Sequence, residues 1–303
     1  MPAWPELSVA RDHETFAVLH LAAQMLGKLR VAHAPWSNHG WHVALHPTAA
    51  GLATAPTAAP DGRTFTLALD LCRDAITLRV SDGASDQVPL AAPTIADLHA
   101  GLIAMLKAHN LPATFNGIPS EVPDPVRFAD DLAPRAYDPA SARRLREALA
   151  LIVPIFDRFR AGFAGKASPV HLFWGAFDLA VTRFSGRPAP QHPGGIPGLP
   201  DRITREAYSH EVSSAGFWPG GVTGAEPMFY SYAYPEPAGY RTTPLAAGRF
   251  DESHGEFVLP YAEVRGAPDP EAQLSRFLAE TYAAAAELAH WERTALEREP
   301  VAP

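Results

Sequence analysis

Residues 64–80 read TFTLALDLCRDAITLRV. Phe65, Leu67, Leu69 and Leu71 alternate with polar or small residues, and after a polar interruption Ile76, Leu78 and Val80 alternate again. Two runs of period two, joined by a short polar break, describe neighbouring antiparallel strands with one buried face. With a further strand expected at Trp41–Pro47, the region predicts an antiparallel meander. Helices flank it. Phe16, Leu19, Ala23 and Leu26 recur at three- and four-residue steps within His13–Lys28, the period of an amphipathic helix. Thr94 can cap a second helix reaching His109, with Ile95, Leu98, Leu102, Met105 and Leu106 inward and Asn110 and Pro112 ending it.

The proline-rich stretch Ile118–Tyr137 reads as a connector, after which the pattern starts again. Asp138 can cap a helix with Pro139 in its first turn and a stripe of Leu145, Leu149, Ile152, Phe156, Phe159 and Phe163. Strands are expected within Val170–Phe184, Glu206–Phe217, Pro227–Tyr234 and Glu256–Tyr261, and a last helix over Pro270–Glu297. The predicted class is α+β, built from two similar halves that each run helix, antiparallel sheet, helix: residues 1–117, a connector 118–137, and residues 138–303. An internal echo favours duplication: Gly27, Lys28, His33 and Trp36 recur 138 positions later as Gly165, Lys166, His171 and Trp174. The competing reading is that glycine and lysine both suit helix C-termini. The chain has only one further lysine, Lys107.

Composition narrows the function classes. The 303 residues are 47% hydrophobic and 19% charged, enough to fold without staples. A net charge of −8, from 25 basic and 33 acidic residues, repels phosphate backbones, so nucleic acid is not an expected partner. Cys72 is the only cysteine, which excludes an internal disulfide and fits a reducing compartment; cytoplasmic localisation is expected. No signal-like or membrane-spanning run is read from the sequence, so a membrane is not expected either.

Standard catalytic motifs are missing. Neither Gly-Lys pair carries the glycine spacing or the following Ser/Thr of a phosphate-binding loop, and there is no Gly-x-Ser-x-Gly elbow. His210-Glu211 begins a zinc-protease motif that fails at Ser214. Glu287 and His290 have di-iron spacing without a second copy.

What remains is a set of polar residues among aromatics. His39 and His42 lie in Pro35–Val43 and could share a single metal ion, with a third ligand from His171, His192 or His210; the competing reading is a pair of histidines bonded to loop carbonyls. Strand alternation places Trp174, Asp178 and Thr182 on one face, and Asp178 there needs a partner such as Arg183, Arg187 or a histidine. Tyr208 and His210 share a strand face in the same way, as do Tyr230, Tyr232 and Tyr234. The expected function is acid–base chemistry on a small molecule, metal-assisted or not. His42 or His210 would move the proton, Asp178 would orient a histidine, and Arg183 or Arg187 would hold an anionic group. Trp36, Trp174, Tyr208, Trp218, Tyr230 and Tyr232 would line the pocket. A non-catalytic small-molecule-binding module and a protein-interaction module are the alternatives. The cofactor and the oligomeric state stay open.

The strings PWSNHGWHV (35–43), SPVHLFWGAFDLAVTRFSGRPAPQHPGG (168–195), REAYSHEVSSAGFWPGG (205–221) and FYSYAYPEP (229–237) resemble a bacterial family designated a domain of unknown function, family 5996. The resemblance extends over nearly the whole chain and implies no activity, cofactor or catalytic residue. His33 stands where the family pattern implies an apolar residue, which weakens the histidine of the echo.

Overall fold

The computed structural model describes residues 3–298. The first half supplies α1 (Val9–His33), β1 (Leu45–Thr48), β2 (Gly51–Thr54), β3 (Thr57–Ala58), β4 (Thr64–Asp70), β5 (Ala75–Val80), β6 (Ser85–Pro89) and α2 (Ile95–Ala108). The second supplies α3 (Pro139–Ala161), β7 (His171–Phe173), β8 (Asp178–Pro188), α4 (Asp201–Ala207), β9 (His210–Trp218), β10 (Met228–Tyr234), β11 (Arg249–Asp251), β12 (Glu256–Pro260), α5 (Tyr261–Arg265), α6 (Pro270–Leu288) and α7 (Arg293–Leu296). The mixed helix and strand class of the sequence is present. The division into two separate sheets is not.

All twelve strands form one open antiparallel sheet, in the order β11-β12-β10-β9-β8-β7-β1-β2-β4-β5-β6 with β3 beside β4. The halves meet at β1 and β7, through the single register pair Leu45↔Leu172. The two alternating runs of residues 64–80 are β4 and β5, paired from Phe65↔Val80 to Asp70↔Ala75 with Phe65, Leu67, Leu69, Ile76 and Leu78 in the main core. Local chemistry sets the helix starts. Thr94 accepts from the Asp97 amide ahead of α2, and Asp138 accepts from the Ala140 and Ser141 amides ahead of α3. α1 is longer than its stripe predicts and is buried on nearly every face from Thr15 to Arg30, so it runs through the core rather than lying on it. No helix among the described residues is long and apolar enough to cross a membrane.

Four expectations are corrected. The first is the echo, whose positions occupy unlike places: Gly27 and Lys28 lie inside α1, whereas Gly165 and Lys166 follow α3 in a loop. Trp36 is 45% exposed and Trp174 is 8% exposed. Gly27 is glycine for packing, since a Cβ there would fall 1.9 Å from the Trp174 indole nitrogen. The Gly-Lys and Trp positions of the echo therefore carry no case for duplication.

Second, the strand expected from Trp41 starts only at Leu45; Asn38–Val43 is a 3-10 segment broken by left-handed backbone at His39 (φ 58°) and Gly40 (φ 72°). Third, the Val170–Phe184 run is divided by a turn with Phe177 at φ 63°, which puts Trp174 in the turn and not on the strand. Fourth, Glu206 and Ala207 end α4, so Tyr208 caps a helix and shares no strand face with His210. Strands β2, β3, β6 and β11 carry no strong periodicity, so the sequence does not mark them.

Candidate functional site

Alternation along β8 sorts the side chains of the second half. Leu179 and Val181 point into the helix-covered core, while Asp178 and Thr182 face the opposite side, into a cavity of about 780 Å³. β10 does the same: Phe229 is core, Tyr230 and Tyr232 line the cavity. Gly216 on β9, directly across from Tyr230, leaves room for the ring, since a Cβ there would meet the phenol oxygen at 2.3 Å. The remaining walls come from Lys28 on α1, Trp36 and the 3-10 segment after it with Trp41 and His42, the connector residues Ser120 and Glu121, the turn with Trp174, and α4.

The deep wall is acidic. Glu121, Asp178 and Glu256 all line the cavity and are half-buried. The Tyr230 hydroxyl donates to the Asp178 carboxylate. Burial raises Asp178 to about 6, against the opposing Tyr230 hydrogen bond. Burial, and then the charge of Asp178, raise Glu121 to about 7, with Lys28 pulling the other way. Glu256 also rises to about 7, through burial and then repulsion from Asp178 and Asp251. Tyr230 and Tyr232 are pushed well above 10 by burial, so they act as hydrogen-bond donors and not as bases. Tyr208 donates to the Tyr232 hydroxyl at 3.0 Å, which extends the hydroxyl row toward α4.

Room for Glu121 is built into the turn after β7. A Cβ at Gly175 would sit 1.8 Å from the Glu121 carboxylate, so only glycine leaves that carboxyl in place. Glu121 itself is held in left-handed backbone at φ 57°.

The opposite rim is aromatic and basic. The Trp36 indole donates to both carboxylate oxygens of Glu206 at 2.7 and 2.9 Å, and Arg202 lies over its ring at 5.5 Å. His42 packs on Trp36 and accepts from the Ser37 amide through Nδ1 at 3.2 Å. His39 lies 3.2 Å from the Ala207 carbonyl through Nδ1 and 2.6 Å from the Lys166 amine through Nε2. That arrangement fixes its neutral tautomer, with Nδ1 donating and Nε2 accepting. Burial, then Lys166, lowers its pKa.

Of the residues named from sequence, His42, Asp178, Trp36, Trp174, Tyr208, Trp218, Tyr230, Tyr232 and His39 all line this one cavity. Three do not. Arg183 alternates onto the core face, where its guanidinium lies 3.6 Å from the Phe159 ring centre and 4.2 Å from that of Tyr282 and donates to the Phe159 carbonyl. Arg187 bonds the Glu211 carboxylate and the carbonyls of Ala289 and His290, where it ties down the C-terminal end of α6. His210 is outside the cavity lining, with its Nδ1 3.0 Å from the Ser209 hydroxyl. The grip on an anion expected of Arg183 or Arg187 is therefore absent, and Asp178 is partnered by a phenol instead of a cation.

The two-histidine metal pair is not assembled: both ring nitrogens of His39 are already engaged, one of them by an amine. Among the described residues no group of three His, Cys, Asp or Glu side chains is arranged to hold a metal ion.

Sequence reasoning missed Lys28, Ser120, Glu121 and Glu256. A signal for the first existed: His20, Gln24 and Lys28 form a polar line at four-residue steps along a helix otherwise buried in apolar contacts. Nothing local marks Glu121 or Glu256, since each gains its setting from a turn or strand distant in sequence.

The pattern of the family of unknown function DUF5996 matches residues 4–298, and the chain belongs to that family. No curated protein and no solved structure matches it.

Proposed function

We propose that the protein is a small-molecule enzyme whose cavity receives a compound with a basic group and an aromatic or apolar body, and performs acid–base chemistry on it. The observation that carries this reading is the trio Glu121, Asp178 and Glu256 on the wall of a cavity of about 780 Å³, against two lining cations, Lys28 and, over the Trp36 ring, Arg202. Tryptophan and tyrosine faces around an acidic floor suit a cation, which gains from the ring quadrupoles as well as from the carboxylates. Carboxyls raised to about 6 and 7 sit where proton donation and acceptance at neutral pH are both available, the condition for general acid–base work. In this reading Asp178, oriented by Tyr230, and Glu121 exchange protons with the ligand, Glu256 holds its charge, and His42 with Trp36 closes the rim.

Thermal-shift measurements with phenethylamine and benzyltrimethylammonium, against benzoate and phenyl phosphate, test it. At pH 8, where the carboxyls are ionised, the two cations raise the melting temperature of the wild type and do so less for Glu256→Gln. Stabilisation by the anions and not by the cations, or by none of the four, overturns the reading.

A further inference from the structure

We propose that Ser120 and Lys28 form a nucleophile–base pair for acyl transfer from a carboxylic ester or amide bound in the cavity. The inference rests on the cavity taking a small molecule and adds the reacting atoms. Lys28 Nζ lies 2.7 Å from Ser120 Oγ, and both residues line the cavity. The lysine is 6% exposed, its Nζ stands over the Trp174 ring at 5.3 Å, and the Ser120 hydroxyl is its one hydrogen-bond partner among the described residues. A buried amine facing an indole and a hydroxyl, and not bonded to a carboxylate, is a poor place to hold an ammonium. Its pKa is accordingly brought down to about 8 by burial, opposed by the nearby Glu121.

The serine is clamped. Gln24, fully buried and one helical turn before Lys28 on the same face of α1, accepts from the Ser120 amide at 2.7 Å through Oε1. Its Nε2 donates to the Ser120 carbonyl at 2.8 Å. One helix thus holds the backbone of Ser120 on both sides while it presents a base to the hydroxyl, the preorganisation an activated nucleophile needs. His20, a further turn back, secures the adjoining turn: its Nδ1 accepts from the Val222 amide at 3.2 Å, leaving Nε2–H to donate to the Gly175 carbonyl at 2.9 Å.

The reaction balances without a cofactor. Neutral Lys28 takes the Ser120 hydroxyl proton as Oγ bonds to the carbonyl carbon, and the carbonyl π pair moves to its oxygen beside the new ammonium. Collapse breaks the bond to the alcohol or amine, which leaves with the proton from Nζ. Water then attacks the acyl group, giving a proton to Nζ, and the Oγ–carbonyl bond breaks as Nζ returns that proton to Oγ, which restores neutral Lys28 and the Ser120 hydroxyl and releases the acid.

The full chain is treated with a fluorophosphonate, in which attack by Oγ forms the P–O bond and expels fluoride, and the modified residue is located by peptide mass spectrometry. Ser120 is the expected site. Ser120→Ala abolishes the modification, and Lys28→Met slows it about a hundredfold or more, the worth of a positioned base. Lys28→Arg, which keeps a cation in place but stays protonated, slows it similarly and guards against a folding defect in Lys28→Met. Modification of another residue, or an unchanged rate in folded Lys28→Arg, overturns the pair. Cation stabilisation of both wild type and Ser120→Ala with Ser120 unreactive refutes this inference alone, whereas a reactive Ser120 with no cation binding refutes the basic-ligand reading alone.

Discussion

Replacing Glu256 with glutamine should stabilise the protein at alkaline pH and leave it unchanged in mild acid. Glu256 opens β12, lines the cavity beside Asp178, and has Asp251 as its cross-strand partner. Burial and these two like charges raise its carboxyl from the ordinary 4.5 to about 7, so the folded chain binds its proton more tightly than the unfolded chain does. A group of this kind contributes fully below the unfolded value of 4.5, and its contribution is lost as pH rises through about 7. Such a rise corresponds to about 3 kcal/mol between the two protonation states. Because the side chain is half-buried and not sealed, about 1 to 2 kcal/mol is the expected net cost of ionising it in the fold. Glutamine has nearly the same shape and never ionises. Urea unfolding of wild type and Glu256→Gln from pH 4 to pH 8.5 reads the difference directly: equal midpoints near pH 4, and a variant more stable by about 1 to 2 kcal/mol at pH 8 and above. A variant less stable at pH 8, or a gap that does not change with pH, would refute the argument that Glu256 is ionised at a cost.

Gly27→Ala decides between two opposing effects. Alanine favours a helix interior by about 1 kcal/mol, but its Cβ would overlap the Trp174 indole, whose nitrogen donates to the Val43 carbonyl at 2.9 Å. Packing wins, and a net loss of about 1 to 3 kcal/mol is expected in chemical denaturation; a gain would show that Trp174 is free to move. Asp12, fully buried and bonded by Arg11, Arg144, Ser141 and the Ser8 amide, has its carboxyl held far below the usual range, through those bonds and against the burial that opposes them. Its contribution is present above the unfolded value of 3.8 and disappears as pH falls toward its lower folded value. Asp12→Asn should therefore cost about 3 to 5 kcal/mol at pH 7 and show a smaller further loss on acidification than wild type. Arg183→Leu should lower the melting temperature while leaving the shift produced by a cavity ligand intact, because the guanidinium packs on Phe159 and Tyr282, away from the cavity. An equal loss of ligand response would return Arg183 to the site.

Strong local patterns carried much of this protein's secondary structure. Alternating leucines and isoleucines give β4 and β5 because a half-buried strand has a period of two, and Thr94 and Asp138 mark helix starts because their side chains satisfy amides that have no partner within the helix. The aromatic and polar residues of the second half were also legible as a group, and Trp174, Asp178, Tyr230 and Tyr232 do come together. Where the backbone adopts left-handed conformations, as at His39 and Phe177, periodicity is misleading, since one such residue redirects every side chain after it. The continuity of the sheet across the halves depends on one β1–β7 register pair between residues 127 positions apart, which no window of sequence contains. The charge of the cavity is likewise a tertiary outcome. Arg183 and Asp178 lie five residues apart on one strand, and the pleat sends the arginine to the core and the carboxylate to the cavity. Glu121 and Glu256, brought in from a loop and a distant strand, then turn an expected anion site into an acidic one, with Ser120 fixed beside Lys28 by a glutamine 96 residues away in the chain.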